Sequence, residues 1–354
     1  MKSPHLLTFS LLLVSLISDL TAQERIVGFV RVDCPSGSDT LVSVPFRQNS
    51  SFEGELNATP TPSSDSAILS NGDNPGWAVD QFVTAPSYLR FTSGTRAGYV
   101  FSITANLAAT VTIALDGDDF SGVATSDEFE ILPHWTLDLL FPAASQNTVH
   151  ASSSVFPTAR KTEIQFFNQT KDGIDLAPSQ IYFLENTIWR QSVKGFPDAG
   201  SKVVPPGSSF IIRHPATEAA TQFVTHQRVD SRTFVTRLKT LSDGENDSSL
   251  ALVRPVAVKL EDLNLTAANG FVESASTDEA SRKDELHLFD NAAAAINRTP
   301  SAVYFRTGNQ WVLDDGNAYP VSDDTEISPA VGLLLRKAST VDAADHVWIN
   351  TPAY

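Results

Sequence analysis

The sequence predicts an all-β, mainly antiparallel protein: two diverged copies of a small β-sandwich or barrel-like unit, the first carrying an inserted β meander or barrel. Three observations predict it. Runs of five to eight residues rich in Val, Ile, Thr and aromatics alternate with gaps holding Pro and Gly, a strand-and-turn grammar. The stretch from Phe167-Asn168 to Trp189 recurs at a constant offset of 122 residues as Phe289-Asp290 to Trp311, with Pro178-Ser179 matching Pro300-Ser301 and Tyr182-Phe183 matching Tyr304-Phe305. A single cysteine, Cys34, permits no internal disulfide, so stability must rest on packing; a small buried residue is its expected use.

Lys2 followed by the apolar run 6–18 reads as a secretory leader, residues 1–22, with cleavage expected after Ala22. About 13 helical residues rise only about 20 Å, too little for a bilayer core of roughly 30 Å, so no transmembrane anchor is expected in the mature chain. The expected location is the periplasm, the cell surface or the extracellular space. Residues 38–46 resemble 247–256, and residues 203–213 parallel 326–336, each of the latter pair a turn leading into a buried strand that ends in arginine (Arg213, Arg336). The first copy then comprises residues 23–64 plus 158–230, the insert 65–157 and the second copy 231–354. Within the insert, residues 87–92, 98–104, 110–115 and 128–132 are strand runs separated by turn compositions such as Asp116-Gly117-Asp118-Asp119. Helix signals are confined to Asn291-Ala292-Ala293-Ala294-Ala295 and Trp135 to Leu140, each good for a turn or two.

Hydrophobic residues make up 42% of the chain, enough for real cores, and the formal net charge of −16 repels phosphate backbones, so nucleic acid is not an expected partner. Six Asn-x-Ser/Thr triplets, at Asn49, Asn57, Asn168, Asn246, Asn264 and Asn297, matter only in a host that glycosylates secreted proteins.

Val27-Gly28-Phe29-Val30 followed by residues 38–46, Gly117 to Val123 with Ile131 to Leu137, and Glu285 to Asn291 together resemble the pattern of an uncharacterised family of exported β-rich proteins multiplied in verrucomicrobial bacteria. The resemblance implies a bacterial, exported protein. That family has no established activity, so no catalytic residue is carried over.

Tyr182, Trp189, Tyr304 and Trp311 are candidates for a sugar-stacking face, although core packing produces the same pattern and is the preferred reading. Arg213 and Arg336, at matching strand ends, are candidates for holding an acidic group of a ligand or of the surface. Asp116, Asp118 and Asp119 put three carboxylates within four residues, a candidate calcium site that lacks the twelve-residue loop spacing and its closing glutamate; a solvated hairpin turn is the preferred alternative. Asp314, Asp315, Asp323 and Asp324 form similar acidic turns. No strained serine elbow, zinc-helix spacing or phosphate loop occurs. The expected function is therefore a noncatalytic binding or structural module of the cell envelope, its partner a polysaccharide or an envelope protein. The alternatives are a secreted hydrolase with carboxylates assembled in three dimensions and an extracellular appendage subunit.

Overall fold

The computed structural model describes residues 26–168, 171–342 and 344–352. The expected leader lies outside them. The chain is all-β, and its strands pair antiparallel in several sheets. No helix among the described residues is long and apolar enough to cross a membrane.

Two five-stranded sheets share one strand order. The first runs Ile188–Gln191, Gln180–Glu185, Glu163–Phe166, Ser209–His214, Ser38–Ser43. The second runs Gln310–Leu313, Ala302–Thr307, Glu285–Leu288, Gly332–Lys337, Asn246–Ala251. Register matches as well: Tyr182 opposes Ile164 as Tyr304 opposes Leu286, and the row Glu163–Arg213–Asp39 corresponds to Glu285–Arg336–Asp247. Strand alternation explains the burial. Tyr182, Leu184 and Trp189 point into one core, and Tyr304 and Trp311 into another. Phe183 and Phe305 are fully buried on the opposite faces, where Arg160 lies 4.6 Å over one ring and Arg282 3.7 Å over the other.

Each sheet is accompanied by an antiparallel ribbon, Val27–Cys34 with Thr221–Val229, to which Phe46–Arg47 adds a short third strand, and Phe234–Leu238 with His346–Asn350. Each also has a short pair, Trp135–Thr136 with Val203–Val204 and Val258–Lys259 with Glu326–Ile327, followed by one turn of helix over Leu137–Leu140 or Leu260–Leu263. Between the strands of the first unit lies a seven-stranded sheet from Phe52–Glu55 to Glu128–Pro133, with its own Phe-rich core. The insert therefore occupies about 48–134 rather than 65–157, a correction at both ends. Phe52–Glu55 pairs with Glu128–Pro133 inside the insert, whereas Trp135–Thr136 pairs with Val203–Val204 of the first unit. The helix expected at 291–295 is also corrected: these residues form a turn whose Ala295 carbonyl accepts from Asp39 N, and whose Asn291 side chain bonds the Leu41 backbone, in the neighbouring unit.

One buried polar pair differs between the units. Fully buried His214 holds Thr162 Oγ1 at 2.8 Å on Nδ1 and Thr221 Oγ1 at 2.7 Å on Nε2. Thr221 donates to Thr148 O, so its oxygen is the acceptor for Nε2–H; Nδ1 takes the Thr162 proton, and the ring is neutral. Burial, helped by the nearby charge of His150, lowers the His214 pKa to about 4. The folded state thus binds fewer protons than the unfolded one. Stability is full above the ordinary histidine value and is lost as pH falls from there through about 4. Urea unfolding is expected to show about 2 kcal/mol less stability at pH 5 than at pH 7.5 from this residue, and His214→Gln should flatten that slope. An unchanged slope in the variant would show that His214 does not set it.

Candidate binding cleft

The two units pack through four strands, Ser38–Ser43 and Ser209–His214 against Asn246–Ala251 and Gly332–Lys337. The approach is close enough to require glycine at 332, where a Cβ would stand 2.6 Å from both Leu41 Cγ and Ser209 Cβ. Hydrogen bonds across the contact come in matched pairs. Asp39 N donates to Ala295 O and Asp247 N to Gly173 O; Ser43 N donates to Ala330 O and Ala251 N to Gly207 O. Asn297 N donates to the Asp39 carboxylate and Asp175 N to that of Asp247, each at 2.8 Å. The segment after one unit's Phe167 or Phe289 thus crosses to cap the edge strand of the other, which satisfies an edge that would otherwise invite pairing. The bonds are reciprocal, each donor and acceptor of one unit having its counterpart in the other, so the units meet about an approximate two-fold axis.

A cavity of about 520 Å³ lies at this contact. Its walls are largely apolar: Leu41, Ile211, Phe167 and Pro178 come from the first unit, and Leu334, Phe289 and Pro300 from the second. Polar groups sit on it in matched places. Arg213 grips Asp39 with Nε and Nη2, both at 2.6 Å, and Arg336 grips Asp247 at 2.8 and 3.0 Å. Each Nη2 also reaches across to the other unit, Arg213 to Asn297 Oδ1 at 2.6 Å and Arg336 to Asp175 Oδ1 at 2.7 Å. These two-pronged bonds hold both guanidiniums above their ordinary pKa. His287 lines the cavity and is fixed by Glu285 Oε2 at 2.9 Å on Nε2; Gln165 and Glu163 make the matching contact in the first unit at 2.8 Å.

Of the residues singled out from sequence, Arg213 lines the cleft and Arg336 stands one bond behind it, through Asp247 and Asp175. The aromatic candidates are corrected. Tyr182, Trp189, Tyr304 and Trp311 are 3%, 1%, 7% and 0% exposed, inside cores where no sugar ring can stack. The acidic turn is corrected in its geometry: Asp118 and Asp119 both point at Arg96, at 2.9 and 2.6 Å, so a guanidinium occupies the place between them. Asp116 contributes its carbonyl oxygen to Arg237. Among the described residues no group of three or more His, Cys, Asp or Glu is placed to hold a metal ion. The later acidic turns are also engaged, Asp314 with Arg282, Asp324 with Lys259, Asp323 with the Trp311 amide and Asp315 with three amides of its own turn. Cys34 is buried, its thiol pushed up to about 11 by that burial.

Asp39, Asp247, His287 and Arg298 escaped sequence reading because none is conspicuous locally. Asp39 meets Arg213 across 174 residues of chain. Continuing the 122-residue offset through 175–178 would have exposed the contrast of Asp175-Leu176-Ala177 with Asn297-Arg298-Thr299, where the units diverge beside the cavity. No family model matches this chain, and neither a curated protein nor a solved structure does.

Proposed function

We propose that this chain is an exported, noncatalytic binding module of the cell envelope or surface, formed of two diverged copies of one β unit with the ligand seat in the cleft between them. The carrying observation is the cavity of about 520 Å³ with apolar walls and a few convergent polar groups. Small-molecule sites are usually concave and apolar, roughly 300–1,000 Å³, with a small number of placed polar groups. The cleft carboxylates Asp39 and Asp247 are each held by an arginine, which favours recognition over proton transfer. Export rests on the leader-like residues 1–22 and accords with the resemblance to an exported family. The partner expectation of a polysaccharide or envelope protein shifts accordingly to a small ligand, since the aromatic face invoked for sugar is buried.

The test uses the neutral fluorophore N-phenyl-1-naphthylamine. Saturable one-to-one binding is expected, weakened at least about tenfold in Ala177→Trp, which places an indole at the exposed mouth without touching a core. Melting temperature should be unchanged. Absence of saturable binding, or equal affinity in the variant, would count against the cleft.

A further inference from the structure

The two mouths of the cleft are built alike but charged differently. At one, Arg213 and Arg298 stand against a single cleft carboxylate, Asp39; at the other, Arg336 stands against Asp247 and Asp175. The difference arises from two divergences of the repeat, Leu176 against Arg298 and Asp175 against Asn297. Other charges do not erase it. Glu163 and Glu285 flank the two clamps alike and are matched by Arg160 and Arg282. The exposed Asp290 carboxylate bonds the Ala292 amide of its own turn.

Arg298 is the unusual member. Nη1 donates to the carbonyls of Asp290 and Ala293, and Nη2 to the carbonyl of Asp39 and to Asn291 Oδ1. Those neutral oxygens satisfy hydrogen bonds but leave the charge to be balanced by Asp39, already gripped by Arg213, and by the exposed Asp290. Partial burial accordingly pulls the Arg298 guanidinium below its ordinary pKa, against the opposing pull of Asp39 and Asp290. A cation in that position gains more from an incoming anion than one with its own carboxylate.

We propose, resting on the cleft as the ligand seat, that it selects an amphipathic organic anion, its acidic group at the Arg298 mouth and its apolar body along Leu41, Ile211 and Leu334. An apolar body suits the walls, and an acid at the opposite mouth would meet the Asp175 and Asp247 carboxylates.

The probes are 1-anilinonaphthalene-8-sulfonate and its uncharged analogue N-phenyl-1-naphthylamine, titrated into the mature chain, Arg298→Leu and Thr299→Glu. Leucine is what the first unit carries at the matching place, and Thr299 is exposed, so its variant adds a negative charge without touching a core. The sulfonate is expected to lose about tenfold in affinity with Arg298→Leu and about fivefold with Thr299→Glu, while the neutral probe stays within about twofold in both. Should Arg298→Leu unfold, Thr299→Glu decides alone. Equal sulfonate affinity in all three proteins, with the neutral probe still bound, overturns the charge selection and leaves the cleft standing. Failure of the neutral probe to bind any of them overturns the cleft itself.

Discussion

Replacing Glu130 by alanine is expected to cost about 3–5 kcal/mol of stability, because it strands buried guanidiniums rather than merely deleting a contact. Glu130 is fully buried and accepts from Arg90 Nε at 2.8 Å and Nη2 at 2.5 Å, from Arg47 Nη1 at 3.2 Å and from Arg232 Nη1 at 2.9 Å. Asp230 is the second carboxylate of the cluster and also binds Arg90. Two acids thus offset three cations, and the variant would leave one. Burial alone would push the Glu130 carboxyl up, but Arg90, Arg47 and Arg232 reverse that and hold it below the ordinary glutamate value. Its contribution is present at neutral pH and lost as pH falls through the depressed value. The cluster is also a joint: Arg90 and Glu130 belong to the inserted sheet, Arg47, Asp230 and Arg232 to the segments around it. Urea unfolding followed by tryptophan fluorescence should therefore resolve two transitions in Glu130→Ala, the insert separating from the paired units. A single transition shifted by under about 1 kcal/mol would show that the joint is held by something else.

The strand class was legible because alternation survives in strands such as Val27–Cys34, where Val30, Val32 and Cys34 are buried and Phe29, Arg31 and Asp33 between them are exposed. The cleft was not, because its parts act at a distance. Arg213 and Arg336 were visible as strand-end arginines, but their acids lie on partner strands far along the chain. The alanines from 292 to 295 look helical by propensity, yet Asn291 Oδ1 and Nδ2 bond the backbone of Leu41 at 3.0 and 2.9 Å, and the edge strand wins. The insert boundary failed for the same reason. Trp135-Thr136 looks like the start of a helix until Val203–Val204, some 70 residues on, returns to pair with it.

Lys337→Met is expected to cost about 3–5 kcal/mol, whereas Lys337→Met combined with Asp284→Asn should be within about 1 kcal/mol of the parent or more stable. Both side chains are fully buried, Lys337 bonded to Asp284 and to the Gly270 carbonyl. Asp284 also accepts from the amides of Val272 at 2.7 Å and Ala338 at 2.9 Å, bonds that an asparagine oxygen can keep in part. The first unit places Thr162 and His214 at the matching positions, so the fold does not need an ion pair there. Burial pushes the Asp284 carboxyl above its ordinary value despite the pull of Lys337, so its charge is costly at neutral pH even when paired. For a carboxyl raised in the folded state, stability is greatest at low pH and is lost as pH rises through the folded value. Removing Lys337 deepens that loss, so the single variant's deficit relative to the parent should be smaller at pH 5 than at pH 7.5, whereas the double variant, which lacks the titrating carboxyl, should gain on the parent as pH rises. A deficit of Lys337→Met that is equal at both pH values would mean that lost packing of the lysine stem, rather than a stranded carboxylate, carries the cost.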